Sequence, residues 1–199
     1  MSQDLRICFL GDSLVNGTGD ENALGWAGRL CAQAIHNGFP ITYYNLGIRG
    51  ETSQQIKERW ERECASRLPA FCDGRIVLSC GVNDTARQNG ALRVLNQDSR
   101  RNIQQILRQA KQKYKVLTVG PPPVADETHN ERIQGLSQIL AEASKMLEVP
   151  YIDLFLPLVA DPIYRQDVLR NDGSHPQKSG YEKMAQIIHS SPNWWFHQL

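Results

Sequence analysis

Apolar positions along this chain fall into two kinds of pattern, which alternate. Short continuous runs occur at Ile7 to Leu10, Ile41 to Leu46, Ile76 to Cys80, Val116 to Val119 and Val149 to Ile152. Continuous apolar runs of that length suit strands covered on both faces. Between them lie stripes at helical spacing: Leu24, Ala27, Leu30, Cys31 and Ala34; then Ile56, Trp60 and Cys64. Further stripes are Ile103, Ile106, Leu107 and Ala110; Ile133, Leu136, Leu140, Ala143 and Leu147; and Tyr181, Met184, Ala185 and Ile188. Each predicts a helix with one apolar face. Asn37-Gly38 offers a stop to the first, and Thr52 and Ser53 offer caps to the second. The segment from Leu154 to Arg170 has no clear period and reads as irregular.

Strands alternating with helices predict a parallel sheet with right-handed crossovers and helices on both faces. The expectation is α/β: a single three-layer α/β/α domain over residues 1–199, with no linker or repeat. Five strands suit the flavodoxin-like order 2-1-3-4-5.

Composition narrows the classes. A hydrophobic content of 41% in 199 residues supports a substantial core. Lys plus Arg total 22 against 21 acidic residues, so the chain carries no electrostatic footprint for nucleic acid or anionic membrane. Charged runs such as Lys57-Glu58-Arg59 and Glu61-Arg62-Glu63 read as solvated helix faces. Five cysteines (Cys8, Cys31, Cys64, Cys72, Cys80) without C-x-x-C spacing argue against a disulfide scaffold or a zinc site. Cys8 and Cys80 read as small core hydrophobes. No run approaches a membrane span, and the first is too short for a signal-peptide core, so the expectation is a cytoplasmic enzyme. Trp194-Trp195-Phe196 reads as core packing in preference to a subunit contact, and the oligomeric state is not fixed.

The candidate chemistry lies where strands end. Gly11-Asp12-Ser13 stops the first run, and on its own it is a turn sequence, with Asp12 bonding nearby amides and Gly11 supplying backbone freedom. Ser13 becomes a nucleophile candidate when a base and oxyanion donors join it. In a parallel sheet all carboxyl ends share one edge, so Ser13, Gly50 and Asn83 lie together there. Asp172 and His175 arrive on a late loop. Asp172, three residues before His175, can bind one imidazole nitrogen and leave the other facing the serine. His36, His129, His189 and His197 lack such a partner, although Asp126 and Glu127 keep His129 in contention as a base. Gly50 is otherwise a turn glycine and Asn83 otherwise an Asx-turn residue; as donors they would serve a developing oxyanion. Neither a G-x-S-x-G elbow, a P-loop nor a G-x-G-x-x-G fingerprint is present.

Gly-Asp-Ser-Leu, the glycine in Asn-Leu-Gly-Ile-Arg-Gly-Glu-Thr-Ser, Gly-Val-Asn-Asp and Asp-Gly-Ser-His-Pro occur in the order of the GDSL, or SGNH, hydrolases. The chain resembles that family from Leu10 to Pro176, and Gly-Glu-Thr-Ser-Gln-Gln resembles the bacterial thioesterase, arylesterase and lysophospholipase branch. The resemblance implies a flavodoxin-like fold and hydrolysis of small-molecule esters or thioesters through an acyl-serine, without metal or cofactor. It implies Ser13 as nucleophile, His175 as base and Asp172 as its orienter. The oxyanion donors it implies are the amides of Ser13 and Gly50 and the side chain of Asn83, with Gly47 a weaker claimant than Gly50. Two rivals remain: a thiol hydrolase using Cys80, and a non-catalytic carbohydrate- or protein-binding module on the same scaffold.

Overall fold

The computed structural model describes residues 4–196, so His197 lies outside the described residues. The strands are β1 (Leu5–Gly11), β2 (Ile41–Gly47), β3 (Asp73–Ser79), β4 (Arg87–Gln88), β5 (Ala91–Leu92), β6 (Lys115–Val119) and β7 (Tyr151–Ile152). The helices are α1 (Ser13–Asn16), α2 (Gly25–His36), α3 (Ser53–Ala65), α4 (Val82–Thr85) and α5 (Asn96–Ala110). They continue with α6 (Glu127–Met146), α7 (Phe155–Val159), α8 (Pro162–Arg170) and α9 (Lys178–His189).

The main sheet has the order β2-β1-β3-β6-β7, all parallel, which is the expected 2-1-3-4-5. Gly11 pairs with both Gly47 and Ser79, and Ser79 with Val119, so the carboxyl ends are level. Side chains along a strand alternate between faces. Ile7, Phe9 and Val77 therefore pack with Trp26, Leu30, Tyr181 and Ile188 on one face. Cys8, Leu10, Ile76 and Leu78 pack with Ile56, Trp60, Ile106 and Leu140 on the other. Two covered faces explain why the runs are continuous and not alternating. Burial of each such Leu or Ile contributes about 1.5–3 kcal/mol. Trp194 and Phe196 join the first of these cores, and the Arg75 guanidinium lies 4.8 Å from the centroid of the Phe196 ring.

Several boundaries differ from the sequence reading, each for a local reason. Strand β3 stops at Ser79, and Cys80 leads into Gly81, whose φ of 127° ends the extended run. Strand β7 begins at Tyr151 because Pro150 has no N–H; only its carbonyl joins the ladder, accepting from the Thr118 amide at 2.9 Å. The segment from Leu154 to Arg170 is not irregular. It holds α7 and α8, and Asp161 caps α8 by accepting from the Ile163 and Tyr164 amides at 2.9 Å, with Pro162 at the first position. Thr52 opens α3 by donating from its amide and hydroxyl to Gln55 Oε1 at 3.0 and 3.1 Å.

Arg59 is also not on a solvated face. It flanks the apolar stripe of α3, is buried, and donates to the carbonyls of Gly11 at 3.0 Å and Leu46 at 2.8 Å. Glu51 and Glu63 accept from the same guanidinium, so the buried charge is paired. The ends of β1 and β2 are thus tied together beneath the residues that gather there.

Candidate active site

At the carboxyl edge the chain turns sharply after β1. A Cβ at Gly11 would collide with the Ser79 carbonyl and the Val15 side chain, so close packing requires glycine here, and a left-handed φ does not. Asp12 is extended and caps α1, its Oδ1 accepting from the Leu14 amide at 2.9 Å. That turn presents Ser13 at the start of α1.

The loop before α9 brings the partner. Asp172 Oδ1 accepts from the amides of Ser174 at 2.9 Å and His175 at 2.8 Å, while Oδ2 lies 2.6 Å from His175 Nδ1. One carboxylate therefore fixes both the backbone and the ring. Burial opposes ionisation of Asp172, but the imidazole and the two amides outweigh it and hold the carboxyl at about 2. Ionised at neutral pH, it accepts the Nδ1 proton and leaves Nε2 as an acceptor. Nε2 stands 2.8 Å from Ser13 Oγ. In this arrangement the imidazole can take the hydroxyl proton.

Two further residues face the same space. Gly50 sits in the loop after β2 with φ of +76°, a conformation that favours glycine. Gly47, the other claimant, instead packs against the backbone of Asp12 and Asn16 and is absent from the cleft lining. Asn83, in α4, donates from Nδ2 to Asp12 Oδ2 at 3.1 Å. An amide nitrogen carries two hydrogens, so one remains for a ligand. Ser13, Gly50, Asn83 and His175 line one cleft of about 330 Å³, with Leu14, Arg49, Val82, Ala86, His129 and Ser174 completing its walls.

The supporting shell was not legible in the motifs. Asp84 Oδ1 accepts from the Ser53 amide at 2.7 Å, and its Oδ2 accepts from Ser99 Oγ at 2.6 Å. Asn102 then donates to Ser53 Oγ at 3.1 Å and accepts from Lys57 Nζ at 2.8 Å. This network locks α3 and α5 to α4, beside Asn83. Asp12 is buried, and that burial pushes its carboxyl up to about 7 against the pull of the Leu14 and Asn83 donors. The turn chemistry of Gly-Asp-Ser signals the bond from the Leu14 amide to Asp12, whereas Asp84 has no signal beyond its position inside a motif block.

His129 reaches the cleft wall but is not equipped as the base. Its Nε2 lies 3.0 Å from Thr85 Oγ1 and 3.2 Å from the Val82 carbonyl, and Asp126 accepts from its backbone amide, not its ring. Burial holds it below the usual histidine range. His189 meets Gln33 on the surface. Cys80 is buried and outside the cleft lining, and burial pushes its thiol well above the ordinary range, with Asp84 and Asp12 pushing the same way. Buried thiols of that kind are inert.

The fold and the family can be placed by comparison. The structure is similar to a lipase/acylhydrolase from Enterococcus faecalis, at 23% identity over 92% of this chain and 93% of that one, TM-score 0.75. It is similar to the acetyl xylan esterase AlAXEase, at 19% identity over 92% and 98%, TM-score 0.78. It is also similar to Axe2, an acetylxylan esterase from Geobacillus stearothermophilus, at 18% identity over 94% of each chain, TM-score 0.72. At these identities the likeness carries the fold alone. No match was found among curated protein sequences. The sequence profile of the GDSL-like lipase/acylhydrolase family matches residues 9–183, nearly the whole length. The chain therefore belongs to the GDSL-like lipase/acylhydrolase family, whose members hydrolyse ester bonds.

Proposed function

We propose that this chain is a serine esterase that cleaves carboxylic esters, and thioesters of similar size, through an acyl-serine intermediate. The observation that carries the reading is the unbroken alignment Ser13 Oγ, His175 Nε2, His175 Nδ1, Asp172 Oδ2, with gaps of 2.8 and 2.6 Å. Proton transfer from a nucleophile to a base held by an orienter calls for contacts of this length.

Ser13 Oγ attacks the carbonyl carbon as His175 Nε2 takes its proton. The new oxyanion rests on the amides of Ser13 and Gly50 and on the spare Nδ2 hydrogen of Asn83. Collapse breaks the bond to the leaving alcohol or thiol, which takes the proton from His175. Water then gives a proton to His175 and attacks the acyl carbon, releasing the acid and restoring Ser13. The chemistry needs no metal or cofactor.

Two of the structural neighbours carry the name acetyl xylan esterase, which places short acyl groups first in any test. A binding module is the weaker reading, because carbohydrate or protein recognition alone does not call for an imidazole aligned on a serine. The reading is tested with p-nitrophenyl esters from acetate to long chains, and an acyl thioester, on the wild type and Ser13→Ala. Turnover that vanishes in the variant supports it. Equal rates in the two proteins overturn it.

A further inference from the structure

Arg93 lies just beyond β5, on a segment that returns to α4: its amide donates to the Ala86 carbonyl at 3.0 Å, and the Val94 amide to Asp84 at 3.1 Å. Its guanidinium reaches the wall of the cleft. Nη2 donates to the Gly50 carbonyl at 2.8 Å, and Nη1 to Asn83 Oδ1 at 3.4 Å. One planar fork therefore bridges the two residues assigned above as oxyanion donors, which come from different loops. Arg93 forms no ion pair among the described residues, unlike Arg59 beneath the same loops.

The consequences follow from amide chemistry. Asn83 is held at both ends: Oδ1 by Arg93 and one Nδ2 hydrogen by Asp12 Oδ2 at 3.1 Å. The amide cannot rotate without breaking two bonds, so the second Nδ2 hydrogen has a fixed direction. A cation on the amide oxygen also draws electron density from the nitrogen and makes its remaining N–H a stronger donor. With its carbonyl pinned, Gly50 has its peptide orientation fixed as well.

We propose that Arg93 is the positioning residue of the oxyanion site, locking Gly50 and Asn83 together and polarising the Asn83 amide. The proposal rests on the acyl-serine reading. Its effect lies in the transition state, where the negative oxygen develops, more than in substrate binding.

The test pairs Arg93→Met and Arg93→Lys with Ser13→Ala, using p-nitrophenyl acetate and phenylboronic acid as a tetrahedral-adduct probe. Arg93→Met should lower kcat roughly 10- to 100-fold with KM changed less than about threefold. Boronate affinity should weaken by about 10-fold or more, because the adduct places an oxygen in the same site. A residue that merely braced the loop would change Tm without separating boronate affinity from KM. Arg93→Lys keeps the charge without the fork and should fall between wild type and Arg93→Met, which also covers the case of a poorly folding Met variant. A folded Arg93 variant with kcat and boronate affinity within about twofold of wild type overturns the role of Arg93, while loss of activity in Ser13→Ala keeps the acyl-serine reading standing. Activity persisting in Ser13→Ala overturns both.

Discussion

Ser13 and His175 are 162 positions apart in the chain, yet Oγ and Nε2 stand 2.8 Å from each other. The level carboxyl ends of a parallel sheet make this possible: β1 delivers the serine to the edge, and the turn before α9 delivers the imidazole. Asp172, three residues from the histidine, holds the ring in the tautomer that faces the serine.

Asp172→Asn should therefore reverse that tautomer without emptying the site. An amide nitrogen at Oδ2 would present a donor to Nδ1, moving the imidazole proton to Nε2 and removing the acceptor for Ser13. The expected loss in kcat is on the order of 10³–10⁴ with KM little changed. The wild-type carboxyl lies at about 2, below its unfolded value, so its stabilisation is present above about pH 4 and disappears as pH falls through about 2. Steady-state kinetics and acid-unfolding curves on both proteins check the two halves.

Asn83→Ala should lower kcat roughly 10²- to 10³-fold per folded molecule, with a smaller change in KM. It also leaves Asp12 Oδ2 without its donor, at a cost of about 1–3 kcal/mol. Thermal unfolding and kinetics on one preparation separate these effects. A lowered Tm with near-normal kcat would remove Asn83 from the site.

Asp12 gives the opposite pH signature to Asp172. Burial raises its carboxyl to about 7, so the folded protein binds that proton more tightly than the unfolded chain does. Stability from this group is complete below about pH 4 and is lost as pH rises through about 7. The Tm of Asp12→Asn minus that of wild type should accordingly grow between pH 4 and 7 and then level off. The same variant should lose activity, since a donor at Oδ2 would repel the Asn83 amide. A flat difference in Tm across that range would contradict the burial argument.

How far the sequence carried these assignments depended on the kind of signal. Continuous apolar runs revealed five strands because both faces of the sheet are covered, and Asp-x-x-His revealed a local carboxylate–imidazole pair. Convergence on one edge then followed from parallel topology. Helices α7 and α8 escaped because their apolar stripe is short, although Asp161-Pro162 announced the start of α8. Arg59 passed for a surface charge because its partners, the carbonyls of Gly11 and Leu46, are backbone atoms that no side-chain pattern discloses. Arg93 and the Asp12–Asn83 bond escaped for a different reason: both depend on which loops meet, and their residue types are ordinary in turns.

Iodoacetamide at neutral pH should leave esterase activity intact. Cys72 is the one cysteine that is not buried, and desolvation pushes even its thiol up, so labelling is slow and confined to it while Cys80 stays protonated beneath the site. Inactivation that tracks modification of Cys80 would revive a thiol mechanism.

Labelling with a fluorophosphonate probes the role of Ser13 as nucleophile at the reacting atom itself. The reagent reacts with an activated serine hydroxyl and leaves a stable adduct that can be mapped by peptide mass spectrometry. One adduct per chain is expected, on Ser13, with loss of activity in proportion, and no adduct in either Ser13→Ala or His175→Ala. An adduct on another residue, or an unlabelled wild-type enzyme that still turns over ester, would contradict that role.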